Sequence, residues 1–92
     1  MRIHWTQPAT QDLTNICAYI EERDTSSAAR RLALLIYRSV TSLDRFPNRG
    51  RIGRKENTRE LVITNLPYVV IYRVSEKAVE IIRILHGAQD WP

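Results

Sequence analysis

From Thr58 onward the chain carries three strand-like segments joined by very short turns, and this constrains the fold more than any other feature. Arg59 to Ile63 turns at Thr64-Asn65-Leu66-Pro67 into Tyr68 to Val74, which turns at Ser75-Glu76-Lys77 into Val79 to Leu85. Connections of this length close antiparallel hairpins, whereas a parallel pairing needs a crossover of a dozen or more residues. The middle segment is apolar on both faces. Tyr68, Val70, Tyr72 and Val74 lie on one, and Val69 and Ile71 with Arg73 on the other. A strand of that kind is usually covered on both sides.

The upstream half supplies one cover. Arg2 to Trp5 alternates as a short first strand, and a helix follows in which Thr6 or Gln7 caps and Pro8 sits where a missing N–H costs nothing. Ala9, Leu13, Ile16, Cys17 and Ile20 fall on one apolar stripe, with Gln11, Asp12, Asn15 and Glu22 on a polar side. After a break at Arg23-Asp24-Thr25, Ser26 or Ser27 caps a second helix that runs to about Arg45. Ala29, Leu32, Ala33, Ile36, Val40 and Leu43 form its core stripe, and Phe46-Pro47 stops it. So short a break makes the two helices an antiparallel hairpin. Asn48 to Asn57, with Gly50 and Gly53 among arginines, reads as a loop.

These elements specify a single domain over residues 1–92 of the α+β class: an antiparallel sheet of three to four strands with a helical hairpin packed on one face. No third helix remains for the other face. Two readings stand for it. Glu60, Val62, Val69, Ile71 and Arg73 form an apolar groove with a charged rim that a partner covers, or the valines tuck under the basic loop. Arg73 and Arg83 sit among apolar neighbours and each needs a carboxylate or carbonyl. If the last turn places Arg73 opposite Val79, Arg83 falls opposite Val69 on the groove face, paired with Glu60, Glu80 or a partner's carboxylate; a one-residue slip reverses this.

Charge is more informative in its distribution than in its total. Arg45, Arg49, Arg51, Arg54, Lys55 and Arg59 against Glu56 and Glu60 give 6 − 2 = +4, the whole formal net charge of the 92-residue chain. Attraction to phosphate or to an acidic partner therefore concentrates in this connecting segment, and Arg49, Arg51, Arg54, Lys55 and Arg59 are the candidates for target or nucleic-acid contact. The longest apolar run, Leu66 to Tyr72, is far below the roughly 20 residues a bilayer crossing needs, so no membrane role is expected. A single cysteine and no leader-like apolar run lead to the expectation of a cytoplasmic protein. Two scattered histidines with one cysteine have no metal-ligand spacing, so neither metal nor cofactor is expected. His86 could act as a general acid or base, or hold the terminal turn. Trp91 either caps the core or meets a partner.

The order strand, helix hairpin, GRIGR loop, then TRELVI, PYVVIYRV and VEIIRILHGAQDWP resembles the RelE/ParE superfamily of bacterial type II toxins across essentially the whole chain. The resemblance implies an antiparallel sheet under a helical hairpin, and a cognate ParD- or RelB-like antitoxin whose disordered tail folds onto the toxin. It also implies contact with operator DNA only through that antitoxin. Members similar to RelE cut ribosome-bound mRNA with basic side chains, whereas ParE members poison DNA gyrase with no known chemistry of their own.

The residues separate the two branches. Where the ribonucleases place a catalytic arginine after the aromatic of the middle strand, this chain has Val69. Their strand lysines fall at Glu60 and Val62, and the arginine beyond the last strand falls near Gln89. Loss of one cationic donor from such a mechanism costs on the order of 100-fold or more. The sequence therefore reads as a ParE-like gyrase inhibitor that is not itself an enzyme, with an antitoxin over Glu60, Val62, Val69, Ile71, Arg73 and Arg83. The alternative is a ribosome-dependent mRNA interferase using Arg73, Arg83 and His86.

Overall fold

In the computed structural model, residues 1–87 and Trp91 are described. Thr6 and Thr25 start the two helices, each in extended backbone with its side chain accepting a hydrogen bond, from the amides of Ala9 (3.3 Å) and Ala28 (3.0 Å). Satisfying an otherwise orphaned first-turn amide is what favours threonine there. The cap of the second helix is thus Thr25, and Ser26 is already helical. Helix α1 spans Gln7–Arg23 and α2 spans Ser26–Thr41, continued by a 3₁₀ turn at Ser42–Asp44.

The sheet has five strands: β1 (Arg2–Trp5), β2 (Arg51–Ile52), β3 (Arg59–Val62), β4 (Tyr68–Val74) and β5 (Ala78–His86), in the order β1-β5-β4-β3-β2. The three C-terminal strands pair antiparallel, as their short turns require. Two features differ from a wholly antiparallel sheet of three to four strands. β1 joins parallel to β5, which the long intervening chain through both helices and β2 to β4 permits. The basic loop also contributes β2, whose two residues pair with Glu60 and Arg59.

Tyr68, Val70 and Tyr72 of β4, Leu61 from β3, and Val79, Ile81 and Ile84 of β5 meet Ala9, Leu32, Ile36, Val40 and Leu43 in one buried core. Leu13, Ile16 and Ile20 of α1 pack at its margin. Burying such side chains contributes about 1.5–3 kcal/mol each, so this interface holds most of the fold. No described helix is long and apolar enough to cross a membrane.

Candidate functional site

The hairpin register decides where the candidate side chains go. Val74 pairs with Val79 and Arg73 with Glu80, one residue away from the pairing of Arg73 with Val79. The ladder then shifts between Ile71 and Tyr72, leaving Ile82 of β5 as an extra residue, so Arg83 lies opposite Ile71 and Leu85 opposite Val69. Thr6 stabilises the bulge by donating its hydroxyl to the carbonyls of Ile81 (2.7 Å) and Ile82 (3.1 Å).

Arg83 thus sits opposite a residue of the outer face, yet its guanidinium turns to α1. Its Nε and Nη2 donate to the two carboxylate oxygens of Asp12 at 2.7 and 2.9 Å, and the Ile84 amide donates to the same carboxylate at 2.9 Å. The hydrogen bond from Asp12 pushes the Arg83 pKa above its ordinary value and keeps the guanidinium charged. Asp12, placed by its helical spacing on a polar outer side, instead faces the sheet. The demand of Arg83 for a carboxylate was legible in the sequence; which helix would supply it was not. Arg73 pairs across the hairpin with Glu80 at 3.6 Å.

On the outer face, Glu60, Val69, Ile71 and Leu85 line a hollow of about 50 Å³ with Arg51, Arg54, His86, Gly87 and Trp91. That is well below the roughly 300 Å³ at which small-molecule sites begin. The loop has closed over this end of the face. Ile71 is 2 % exposed and Glu60 9 %. One Glu60 oxygen accepts from Arg51 Nε (3.1 Å) and Nη2 (3.0 Å), and the other from the Arg54 amide (3.3 Å). Val62, at 51 % exposed, lies outside the cover and lines a second hollow with Leu35, Ser39, Arg49 and Leu66. The loop thus covers one end of this face and leaves the other, at Val62, open.

The six cations of the basic segment also separate. Arg59 turns inward and donates to the carbonyls of Gly50 (2.8 Å) and Asn48 (3.3 Å). Arg51 is held by Glu60, and Arg49 donates to Ser42 Oγ at 2.7 Å. The Lys55 ammonium sits 5.7 Å from the centre of the Trp91 ring, and Arg45 and Arg54 are exposed. Trp91 therefore packs against the loop at the mouth of the outer hollow. His86 lines both that hollow and a wider groove beside α1, and its ring meets Tyr68 edge-on at 5.9 Å. Gln89 lies outside the described residues. Among those described, no group of three or more His, Cys, Asp or Glu side chains is arranged to hold a metal.

The arrangement is a sheet face whose central carboxylate is neutralised internally and whose open end is apolar, beside a rim of arginines. A profile of the ParE toxin of the type II toxin–antitoxin system parDE matches residues 3–91. The chain belongs to the ParE toxin family. The family is that of toxins from type II toxin–antitoxin systems. The Y4kP protein of Sinorhizobium fredii, described as a candidate toxin, is 45 % identical over 99 % of this chain and 93 % of its own length. Toxin RelE2 of Caulobacter vibrioides is 40 % identical over 96 % of this chain and 97 % of its own. In three dimensions the chain is similar to a protein of the chromosomal ParDE system of P. aeruginosa, with a TM-score of 0.87 and 25 % identity over 94 % of this chain and 95 % of the other.

Proposed function

We propose that this ParE-family toxin arrests growth by inhibiting DNA gyrase and acts by binding rather than by cutting RNA. The observation that carries this reading is the outer face of the sheet. Glu60 puts a buried carboxylate there, and Val62 and Val69 offer no proton donor. Cleavage of a phosphodiester needs cationic donors where negative charge develops, and a carboxylate at that place opposes it.

A ribonuclease built on Arg73, Arg83 and His86 gains little support. Asp12 engages Arg83 and Glu80 engages Arg73. Tyr68, the strand partner of His86, is five residues along β4 from Arg73, which is roughly 17 Å at strand rise. Among the described residues, Arg51, Arg54 and His86 around the small hollow are the arrangement that favours RNA chemistry.

For neutralisation, the antitoxin covers the open end of the outer face. Val62 on that face and Leu35 of α2, across the open edge of β3, supply half-exposed apolar surface. Glu60 and Ile71 are already covered and contribute less than their position in the sequence implied. Expressing the toxin alone in a bacterial host tests the reading: induction of the DNA-damage response ahead of any loss of translation is expected. An immediate stop in translation without DNA damage would overturn it.

A further inference from the structure

The basic loop is held to the sheet at several points. The Tyr72 hydroxyl rises from the core to donate to the Pro47 carbonyl (2.7 Å) and to accept from the Gly50 amide (2.8 Å). Burial pushes the Tyr72 phenol pKa up, which keeps its proton in place to donate. Arg59 grips two carbonyls of the same segment, and Glu60 grips the Arg51 side chain and the Arg54 amide. Gly53 donates to the Thr58 carbonyl at 2.8 Å, and Thr58 closes a turn onto Lys55 through both its amide and its hydroxyl.

The two glycines serve this packing. Neither has a positive φ; a Cβ on Gly50 would lie 2.7 Å from the Tyr72 ring edge and hydroxyl, and one on Gly53 would strike Thr58. Left-handed backbone falls to Asn57, with φ of 62°. Ordering a loop costs about 1–2 kcal/mol per residue in backbone entropy, so a charged segment braced this way has its cations placed before any ligand arrives.

We infer that residues 48–58 form a preformed docking surface for the phosphate backbone of duplex DNA, in which Arg49, Arg54 and Lys55 make the contacts. Arg51, exposed but neutralised by Glu60, and Arg59 are braces, and Tyr72 is the positioning residue that pins the surface to the core. Guanidinium groups suit phosphate through paired donors, and an ammonium adds a point charge. Glu56 is the one acid within the loop, and Glu60 is spent on Arg51. The inference deepens the gyrase reading, since gyrase works on a DNA duplex, but its test needs no gyrase, so the two can fail separately.

The experiment titrates the full-length toxin into a labelled duplex of arbitrary sequence between 50 and 200 mM salt. Three phosphate contacts give a slope of about −2.7 in log K against log salt, or a loss of roughly 40-fold across that range. Arg49→Gln, Arg54→Gln and Lys55→Gln should each lower the slope by about one. The pair Arg51→Gln with Glu60→Gln should leave it unchanged. Tyr72→Phe keeps every cation but frees the loop, so the slope is retained while affinity falls about 5-fold.

No duplex binding at 50 mM salt would overturn the inference. So would an equal slope loss in the Arg51/Glu60 pair, or equally tight binding of poly-glutamate, which assigns the surface to an acidic protein. Wild-type affinity in Tyr72→Phe overturns the positioning role. Should that variant not fold, hydrogen exchange of the native toxin decides instead: the Gly50, Gly53 and Arg54 amides are expected to be protected, and fast exchange there contradicts a preformed loop.

Discussion

The two faces of the sheet are built from the same kind of strand residue, yet they are covered in different ways. Val70, Ile81 and Ile84 face two helices and are at most 2 % exposed. Across the sheet, Ile71 is equally buried, but its cover is a loop of arginines, a glutamate and Trp91, and Val62 has none. A helical hairpin seals a face by apolar packing along its whole length. A charged loop seals only what its hydrogen bonds reach, leaving an apolar end beside cations, and the toxin's partners have that asymmetry to work with.

The largest expected effect sharpens this contrast directly. Ile81→Ala on the helix face should lose about 3 kcal/mol in chemical denaturation, because α1 and α2 cannot collapse fully into the cavity. Next is Asp12→Ala, which strands Arg83 and the Ile84 amide. A loss of about 2 kcal/mol is expected, toward the low end for such pairs because Arg83 keeps water on one side. If a cycle with Arg83→Ala shows no coupling between the two positions, the bulge is not held by this pair.

Tyr72→Phe follows, at about 1 kcal/mol for the two bonds that tie the outer-face loop to the core. Val62→Asp should weaken antitoxin binding about 10-fold, measured by calorimetry, without altering growth arrest by the free toxin. Unchanged affinity would move the antitoxin off the open end of the face. The smallest effect is on folding itself: Val62→Ala should stay within about 0.5 kcal/mol of the native chain, since half of that side chain already meets water.

Local rules made much of this legible in advance. Turn lengths gave the antiparallel β3-β4-β5 core, and the stripe of the second helix gave Ile36, Val40 and Leu43 as buried. What escaped depends on distance along the chain. The parallel pairing of β1 with β5 joins residues some 76 positions apart, and nothing in the alternation of Arg2 to Trp5 names its partner. The bulge at Ile82 changes which strand residue Arg83 meets, and one inserted residue leaves no mark in an apolar run. The glycines of GRIGR read as conformational freedom, whereas the fold uses them for close approach. Of the residues grouped on the second face, Glu60 pairs with Ile71 and Val62 with Val69. The sequence could not divide the cations of the loop into braces and exposed groups, because that division rests on Tyr72 and Glu60 meeting a segment nine or more residues away.

The central claim is that this toxin acts on gyrase without RNA chemistry, and one measurement bears on it most directly. Purified toxin is incubated in parallel with gyrase on relaxed plasmid and with ribosomes carrying mRNA. Blocked supercoiling or accumulated cleaved plasmid, with intact mRNA, is the expected result. Normal supercoiling together with cut mRNA would contradict the account.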